Sequence, residues 1–317
     1  MKRYLFAILL TIGTLSSGAK TTDLSKKETA NCYMVKPCTA AGYEFRADVK
    51  GNGIATLGHC AEIDLKAVRS VKVIWEDADI IDDSSLKLAD KKIVFHTNSK
   101  TANGNALIGI FSDKGCIWSW HIWMTEATDY KVADYTFLDR NLGAYSTELG
   151  PDGENGCFWQ WGRKDPFPAD FSLGITSCEG PKDYGFANAN PNVFITSGGS
   201  WMGWNAYDAW IKDGQKTMYD PCPAGYQVPG NSDIIKIKAL GLKGNFPKSG
   251  AIWYDLDPSG RRMTGKAGFY WTSTITPGMI NRSDDFYIWE NGIGLGSHYF
   301  NSSAMSIRPQ KTSSQSY

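Results

Sequence analysis

Three segments decide the fold of this chain, and the first and third are rich in tryptophan: Trp118-Ser119-Trp120-His121-Ile122-Trp123, Asp139-Arg140-Asn141-Leu142-Gly143-Ala144 and Phe158-Trp159-Gln160-Trp161-Gly162-Arg163-Lys164-Asp165-Pro166-Phe167. They place five tryptophans within about fifty residues and interleave them with glycine. Tryptophan has the largest apolar side chain and carries one N–H donor. Such a density indicates either a dense core that holds irregular loops or an exposed surface that stacks on a flat ligand.

The first 19 residues have the pattern of a cleavable export signal. Lys2 and Arg3 precede an apolar run, residues 4–15, that is too short to span a bilayer comfortably. Ser17-Gly18-Ala19 supplies small residues before the expected cleavage point, and Cys32 is too far downstream for lipid attachment. We therefore expect an exported protein, located in the periplasm, on the outer-membrane surface or outside the cell. No later segment is long and apolar enough to span a membrane.

Charge and cysteine content exclude some functions. Acidic and basic residues balance at 33 each without a basic stripe, so nucleic acid is not an expected partner. The seven cysteines lie at positions 32, 38, 60, 116, 157, 178 and 222 and show no zinc-binding spacing. An exported chain can form disulfides, and Cys32 and Cys38 could close a short loop. The alternative is that several cysteines are small buried apolar residues.

The first half is predicted to be an antiparallel β-sandwich. After a flexible leader at 20–30, the domain covers 31–127, with turn signals such as Asp82-Asp83-Ser84-Ser85 between short strands. The expected strands are rich in β-branched and aromatic residues; they are 32–35, 43–49, 71–75, 93–95, 106–111 and 116–123. The last of these is apolar on both faces, which predicts contact with a second domain.

The second domain, 128–312, is rich in loops and is followed by a polar tail at 313–317. One helix is expected at 233–240, capped by Ser232 or Asn231 and ended by Gly241. Late strands are expected at 268–274 and 285–289. The predicted fold class is therefore mainly β, with an α+β C-terminal part. In such a domain buried indoles would supply both apolar area and donors for loop carbonyls.

Five motifs of this domain occur in a fixed order: Asp139-Arg140-Asn141-Leu142-Gly143-Ala144, Gly156-Cys157-Phe158-Trp159-Gln160-Trp161-Gly162-Arg163, Asp220-Pro221-Cys222-Pro223-Ala224-Gly225-Tyr226-Gln227-Val228-Pro229, Phe269-Tyr270-Trp271-Thr272-Ser273-Thr274 and Ser306-Ile307-Arg308. Together they resemble the Fibrobacter succinogenes major paralogous domain (FISUMP), over about residues 135–310. That family is similar in fold to C-type lectin-like domains and is common in exported proteins of Bacteroidetes. The first half resembles the β-sandwich modules of fimbrillin-like surface proteins.

The chain departs from this family at two places. The resemblance implies a cysteine after Ile307-Arg308 as the partner of Cys222, but Pro309 stands there. Cys157 or Cys178 could substitute for that partner. The family's helix also usually carries a tryptophan where this chain has Ile234 and Ile235.

The sequence predicts neither a metal site nor a cofactor. The sugar-binding tripeptides of calcium-dependent C-type lectins are absent, and Trp204-Asn205 is followed by Ala206. Asp255-Leu256-Asp257-Pro258-Ser259-Gly260 opens like a calcium loop, but its twelfth position is Lys266 rather than an acid. Asp284-Asp285, like Asp82-Asp83, is interpreted as a solvated turn charge.

Catalytic motifs are equally absent from the sequence. The formylglycine-generating oxidases share the lectin-like fold but need two late cysteines, and none follows Cys222. No Gly-x-Ser-x-Gly, His-Glu-x-x-His or phosphate loop occurs, and the four histidines are dispersed. His121, between tryptophans, is interpreted as a packed or interface residue. We expect no catalytic residues.

Aromatic ligand binding remains as the candidate chemistry. Exposed aromatic faces stack on sugar rings while amide and carboxylate groups bind hydroxyls. The segment after the loop Ser197-Gly198-Gly199-Ser200 offers such groups; the candidate ligand-binding residues are Trp201, Trp204, Asn205, Tyr207 and Trp210. The alternative is that these aromatic residues form the core of their own loop.

The expected function is a non-catalytic surface or fimbria-associated adhesin-like protein. Its expected partners are glycans or surface proteins, and fimbrial subunits are a further candidate. One alternative is a carbohydrate-active hydrolase with paired carboxylates in a tryptophan-rich cleft. Another is a structural pilus subunit that polymerises by strand donation and therefore has an open groove or an unpaired edge.

Overall fold

The computed structural model describes residues 21–53, 61–147, 155–203, 209–239, 246–255, 261–275, 278–279, 281–290, 292–296 and 298–312. The protein is mainly β, with two short α-helices among these residues. The predicted mainly-β class is therefore confirmed. No helix in the described part of the chain is long and apolar enough to cross a membrane.

Eight strands and a 3₁₀ turn at Leu65–Ala67 form the first half; the strands are β1 (Thr22–Asp23), β2 (Cys32–Val35), β3 (Gly42–Arg46), β4 (Ser70–Glu76), β5 (Ile81–Ala89), β6 (Lys92–Thr97), β7 (Gly104–Ser112) and β8 (Gly115–Met124). They build two four-stranded sheets, in the orders β1-β3-β6-β5 and β2-β8-β7-β4. Phe45 on β3 joins the sheets, because its ring lies 4.5 Å from that of Tyr33 and 5.3 Å from that of Trp120.

This sandwich is mixed rather than purely antiparallel. Strand β1 runs parallel to β3, and β2 runs parallel to β8. A parallel pair needs a long connection, and here the chain crosses to the other sheet between the paired strands. Both sheets end in edge strands, as the strand-donation alternative requires, but open edges are common to sandwiches in general and do not single it out.

Two local predictions in the first half are wrong. Asp82-Asp83-Ser84-Ser85 is not a turn between strands: it lies inside β5, where the register against β6 shifts between Asp82 and Lys87. The bulge absorbs residues that disfavour regular pairing. Residues 21–30 are not a free leader, because they supply β1 and the buried Ala30, and Glu28 accepts a hydrogen bond from the Gly225 N–H.

The second half consists of short strands and two helices, α1 (Tyr184–Ala189) and α2 (Asn231–Ala239); its strands are β9 (Asp129–Val132), β10 (Tyr135–Leu138), β11 (Trp159–Gln160), β12 (Thr176–Glu179), β13 (Val193–Thr196), β14 (Ile211–Lys212), β15 (Gln215–Lys216), β16 (Tyr226–Gln227), β17 (Ala251–Ile252), β18 (Arg261–Arg262), β19 (Gly268–Ile275), β20 (Arg282–Trp289), β21 (Gly292–Leu295), β22 (Tyr299–Phe300), β23 (Ala304–Met305) and β24 (Gln310–Lys311). The predicted helix and both predicted late strands are therefore present as α2, β19 and β20. Asn231 and Ser232 begin the helix rather than precede it.

Strand β8 joins the two halves, as its two apolar faces predicted. Trp123 donates to the Ala144 carbonyl at 3.1 Å, and the Trp118 ring lies 5.9 Å from that of Tyr219. Asn31 extends the contact: its amide donates to the Met218 carbonyl at 2.8 Å and accepts from Trp118. Buried residues of both halves belong to one continuous hydrophobic core.

Candidate functional site

Buried tryptophans, one of them on β8, form an internal scaffold for the second half. Six indole N–H groups, counted among the described residues, donate to backbone carbonyls of this half: Trp123 to Ala144, Trp159 to Lys164, Trp161 to Thr272, Trp201 to Trp161, Trp210 to Arg163 and Trp271 to Trp159. Their rings are fully buried, so each adds apolar area to the core and satisfies a buried backbone carbonyl.

This scaffold includes two of the predicted ligand-binding residues. Trp201 and Trp210 are both 0% exposed, and the Trp210 ring packs 5.4 Å from that of Trp161. Neither indole face is available to a ligand, so these two residues are core rather than surface. Trp204, Asn205 and Tyr207 lie outside the described residues.

The motifs that carry the family resemblance meet in space. The Arg308 guanidinium donates to the Asn141 side-chain oxygen at 3.1 Å and to the Leu138 carbonyl at 3.4 Å. Asn141 in turn donates to the Tyr270 hydroxyl at 3.3 Å. Three motifs are thereby tied together, the first of them well over a hundred residues from the other two, and all three side chains are buried. These residues hold the fold and are not exposed for chemistry.

A buried polar cluster lies where β8 meets the second half. The Lys164 Nζ lies 2.5 Å from the Asp165 Oδ1 and 2.6 Å from the Ser119 Oγ, and 4.4 Å from the centre of the Trp118 ring. Burial lowers the pKa of Lys164, while the neighbouring Asp165 carboxylate opposes that shift. Because the cluster is closed to solvent, its role is to join the halves.

The burial of Asp284 and Asp285 contradicts their interpretation as surface charges, whereas the burial of His121 agrees with its interpretation as a packed residue. Asp284 and Asp285 lie inside β20 and are buried, so they are not solvated turn charges. The Asp284 carboxylate accepts from the Asn231 amide at 2.8 Å and lies 3.0 Å from the His298 Nδ1. His121 is packed, as predicted: its Nε2 lies 2.9 Å from the Asn105 Oδ1, and burial lowers its pKa to about 3.

Six cysteines lie in the described part of the chain, and all six are free thiols. The pairings considered for Cys32 with Cys38, and for Cys222 with Cys157 or Cys178, are therefore not formed. Cys60 lies outside the described residues. Burial raises the pKa values of the Cys32 and Cys222 thiols, which keeps them protonated and unreactive.

Most of the calcium-like loop, 255–260, lies outside the described residues. Asp255 is described, whereas 256–260 are not, and Lys266 is exposed. Among the described residues no group of three or more His, Cys, Asp or Glu side chains is arranged to hold a metal ion.

An aromatic cleft of about 610 Å³ opens at the end of β20 that carries Trp289. The Trp289 side chain is 43% exposed. Its described lining residues are aromatic rings, glycines, an isoleucine and a lysine, namely Lys238, Phe269, Tyr287, Trp289, Gly292, Ile293, Gly294 and Tyr299. We name this group the Trp289 cleft.

The sheet register builds this cleft. Strands β20 and β21 pair Tyr287 with Gly294 and Trp289 with Gly292, so each ring lies opposite a residue without a side chain. A Cβ added to Gly294 would lie 2.0 Å from the Tyr287 Cζ, which shows that the ring rests directly on the glycine backbone. The alternation along β20 sends Phe286 into a separate core instead. Glycine therefore leaves the space that the rings border.

The cleft combines closely packed aromatic rings with a tyrosine hydroxyl and a lysine ammonium. The Tyr299 ring is held between Trp253, at 4.6 Å, and Phe269, at 5.5 Å. Burial, and secondarily the Asp285 carboxylate, raises the pKa of the Tyr299 hydroxyl, so this group remains a hydrogen-bond donor at neutral pH. Lys238 projects from the exposed face of α2 and forms no ion pair within the described part of the chain.

The sequence pattern predicts most of β20 but does not mark this strand as a site. The alternation of Tyr287 and Trp289 with Phe286 and Ile288, followed by a Gly-x-Gly strand, was the available signal. A scan against protein-family models found no match, and searches of curated proteins and of solved structures found no significant similarity.

Proposed function

We propose that this protein is an exported, non-catalytic adhesin-like protein that binds glycans through the Trp289 cleft. The observation that carries the proposal is the partly exposed Trp289 ring beside Tyr287 and Tyr299 in a concave site. Aromatic faces stack on the apolar faces of sugar rings, and the tyrosine hydroxyls and the Lys238 ammonium suit the surrounding sugar hydroxyls.

Two features of the sequence support the same proposal. The export-signal pattern of the first 19 residues suits a protein that meets external glycans. The motif resemblance to FISUMP domains supports a lectin-like module in the second half, with loops carried on a rigid scaffold. The hydrolase alternative requires two facing carboxylates, and the described lining residues of the cleft carry none.

A glycan array followed by calorimetry tests the proposal. We expect the purified protein to bind at least one neutral glycan class and Trp289→Ala to weaken that binding roughly tenfold, since one stacking face is worth about 1.4 kcal/mol. Tyr130→Ala is the matched control, because Tyr130 is a 38% exposed aromatic residue on β9 outside the cleft.

Three outcomes would contradict the proposal. The first is an array without any bound glycan. The second is a Trp289→Ala protein that binds as tightly as the unchanged protein. The third is turnover of a bound oligosaccharide, seen as new reducing ends, which would favour the hydrolase alternative.

A further inference from the structure

A second cleft, of about 520 Å³, lies at the opposite end of β20. It is bordered by the loop that contains Ser197-Gly198-Gly199-Ser200 and by the start of β20, where Asn281 and Arg282 lie. Trp289 lies seven positions after Arg282 in β20, so their backbones are about 23 Å apart along the strand. We call this second site the Arg282 cleft; it is separate from the Trp289 cleft.

Arg282 differs from the other arginines whose side chains the structure describes. Arg46, Arg69 and Arg140 each form an ion pair with an aspartate. Arg163 and Arg308 are fully buried, and each donates to backbone carbonyl and side-chain oxygens. Arg282 has neither kind of environment.

The contacts of Arg282 orient it without neutralising it. Its guanidinium carbon lies 4.2 Å from the centre of the Phe300 ring, and one Nη donates to the His298 carbonyl at 3.3 Å. Within the described part of the chain it has no carboxylate partner. A guanidinium has five N–H donors in a planar fork, so most of them remain for a ligand.

The rest of the Arg282 cleft suits a small polar ligand. Added Cβ atoms at Gly198, Gly203 and Gly278 would meet nothing within 4 Å, so the glycine walls are open. Asn281 supplies a side-chain amide, and Met279 supplies an exposed apolar edge. None of the described lining residues is acidic.

We propose that the Arg282 cleft binds a carboxylate carried on a sugar, that is, a uronic acid unit. The planar fork of Arg282 matches the two oxygens of a carboxylate, with Asn281 placed to bind ring hydroxyls and Met279 to cover an apolar edge. The anion site stands on its own geometry. The choice of a sugar as the carrier of the carboxylate rests on the proposed glycan-binding function.

Saturation-transfer NMR and titration with free glucuronate test this site, with glucose as the neutral control. We expect glucuronate to bind more tightly than glucose and Arg282→Gln to weaken glucuronate binding roughly tenfold or more. Arg282→Lys keeps the charge but not the fork, so it should restore only part of the affinity. Arg69→Gln is the matched control, because it removes an exposed arginine far from the cleft lining.

A second variant keeps the test valid if Arg282→Gln does not fold. Gly198→Asp adds a carboxylate where a side chain meets nothing within 4 Å, so it should repel glucuronate without changing the circular dichroism spectrum. Trp289→Ala should leave glucuronate binding unchanged, which separates this site from the proposed neutral-glycan site.

Specific outcomes would overturn the inference. Equal binding of glucuronate to the unchanged protein and to Arg282→Gln would exclude Arg282 as the carboxylate partner. An acidic tripeptide that binds more tightly than glucuronate would exclude a sugar as the carrier. If the unchanged protein binds glucuronate through Arg282 but binds no neutral glycan through Trp289, the proposed function is overturned and the anion site remains supported.

Discussion

Asp165→Asn should destabilise the protein through the charge it leaves behind. Lys164 and Asp165 are 1% and 3% exposed at the junction of the two halves, with the ammonium 2.5 Å from the carboxylate. Replacing the carboxylate with an amide keeps the shape and part of the hydrogen bonding to Ser119, but removes the negative charge. The Lys164 ammonium then remains buried, with only neutral oxygens and the Trp118 ring beside it.

The expected cost is about 3–5 kcal/mol, because removal of one partner of a buried ion pair leaves an uncompensated charge. Typical proteins have free energies of unfolding of about 5–15 kcal/mol, so the change is a large fraction of the total. The exposed pair of Arg69 with Asp113 supplies the control: Arg69→Met should cost under about 1 kcal/mol, because solvent screens that pair.

Urea unfolding followed by tryptophan fluorescence measures both variants. The double variant Lys164→Met with Asp165→Leu should recover most of the stability, since two apolar side chains of similar size replace the pair. Two results would refute the reasoning. One is an Asp165→Asn variant that loses as little unfolding free energy as Arg69→Met. The other is a double variant that is less stable than Asp165→Asn.

Two further changes test burial and the Trp289 cleft. Burial lowers the pKa of His121 from its ordinary value of 6.5 to about 3, so between these pH values the unfolded chain binds a proton that the folded protein does not. The contribution of the neutral His121 to stability should therefore be full above pH 6.5 and fall by about 1.4 kcal/mol per pH unit toward pH 3. His121→Asn should remove that part of the slope in urea titrations across this range, and parallel curves would contradict it. Gly294→Ala should displace the Tyr287 ring and abolish glycan binding in calorimetry, whereas Gly198→Ala, which meets no atom, should preserve it; equal binding by both variants would count against the cleft geometry.

Local patterns were sufficient for much of the fold. Strand β2 begins and ends where predicted, and α2, β19 and β20 are present near their predicted positions, because alternation and helix signals depend on neighbouring residues. The two-faced apolar pattern of β8 also predicted its contact with the second half. The mixed sheet directions were not predictable in this way, since a parallel pair depends on the path of the whole chain.

The candidate site was the least predictable part. Trp201 and Trp289 have the same side chain, but the first is 0% and the second 43% exposed. Their surroundings differ. Trp201 donates to the carbonyl of Trp161, forty residues away, whereas Trp289 lies at the end of β20 and is paired with Gly292 of the edge strand β21. Neither composition nor the spacing of residues predicts this difference in exposure.

The sequence by itself determined the mainly-β class and the periodic placement of side chains on strand faces, because these follow from interactions between near neighbours along the chain. Only the tertiary structure decided which indoles became core, which partly exposed arginine lacked a carboxylate partner, and which ring lay opposite a glycine. Those properties depend on register and on contacts between distant segments, as between Arg308 and Asn141. A shift of one residue in β21 would place Ile293 rather than Gly294 opposite Tyr287 and close the cleft.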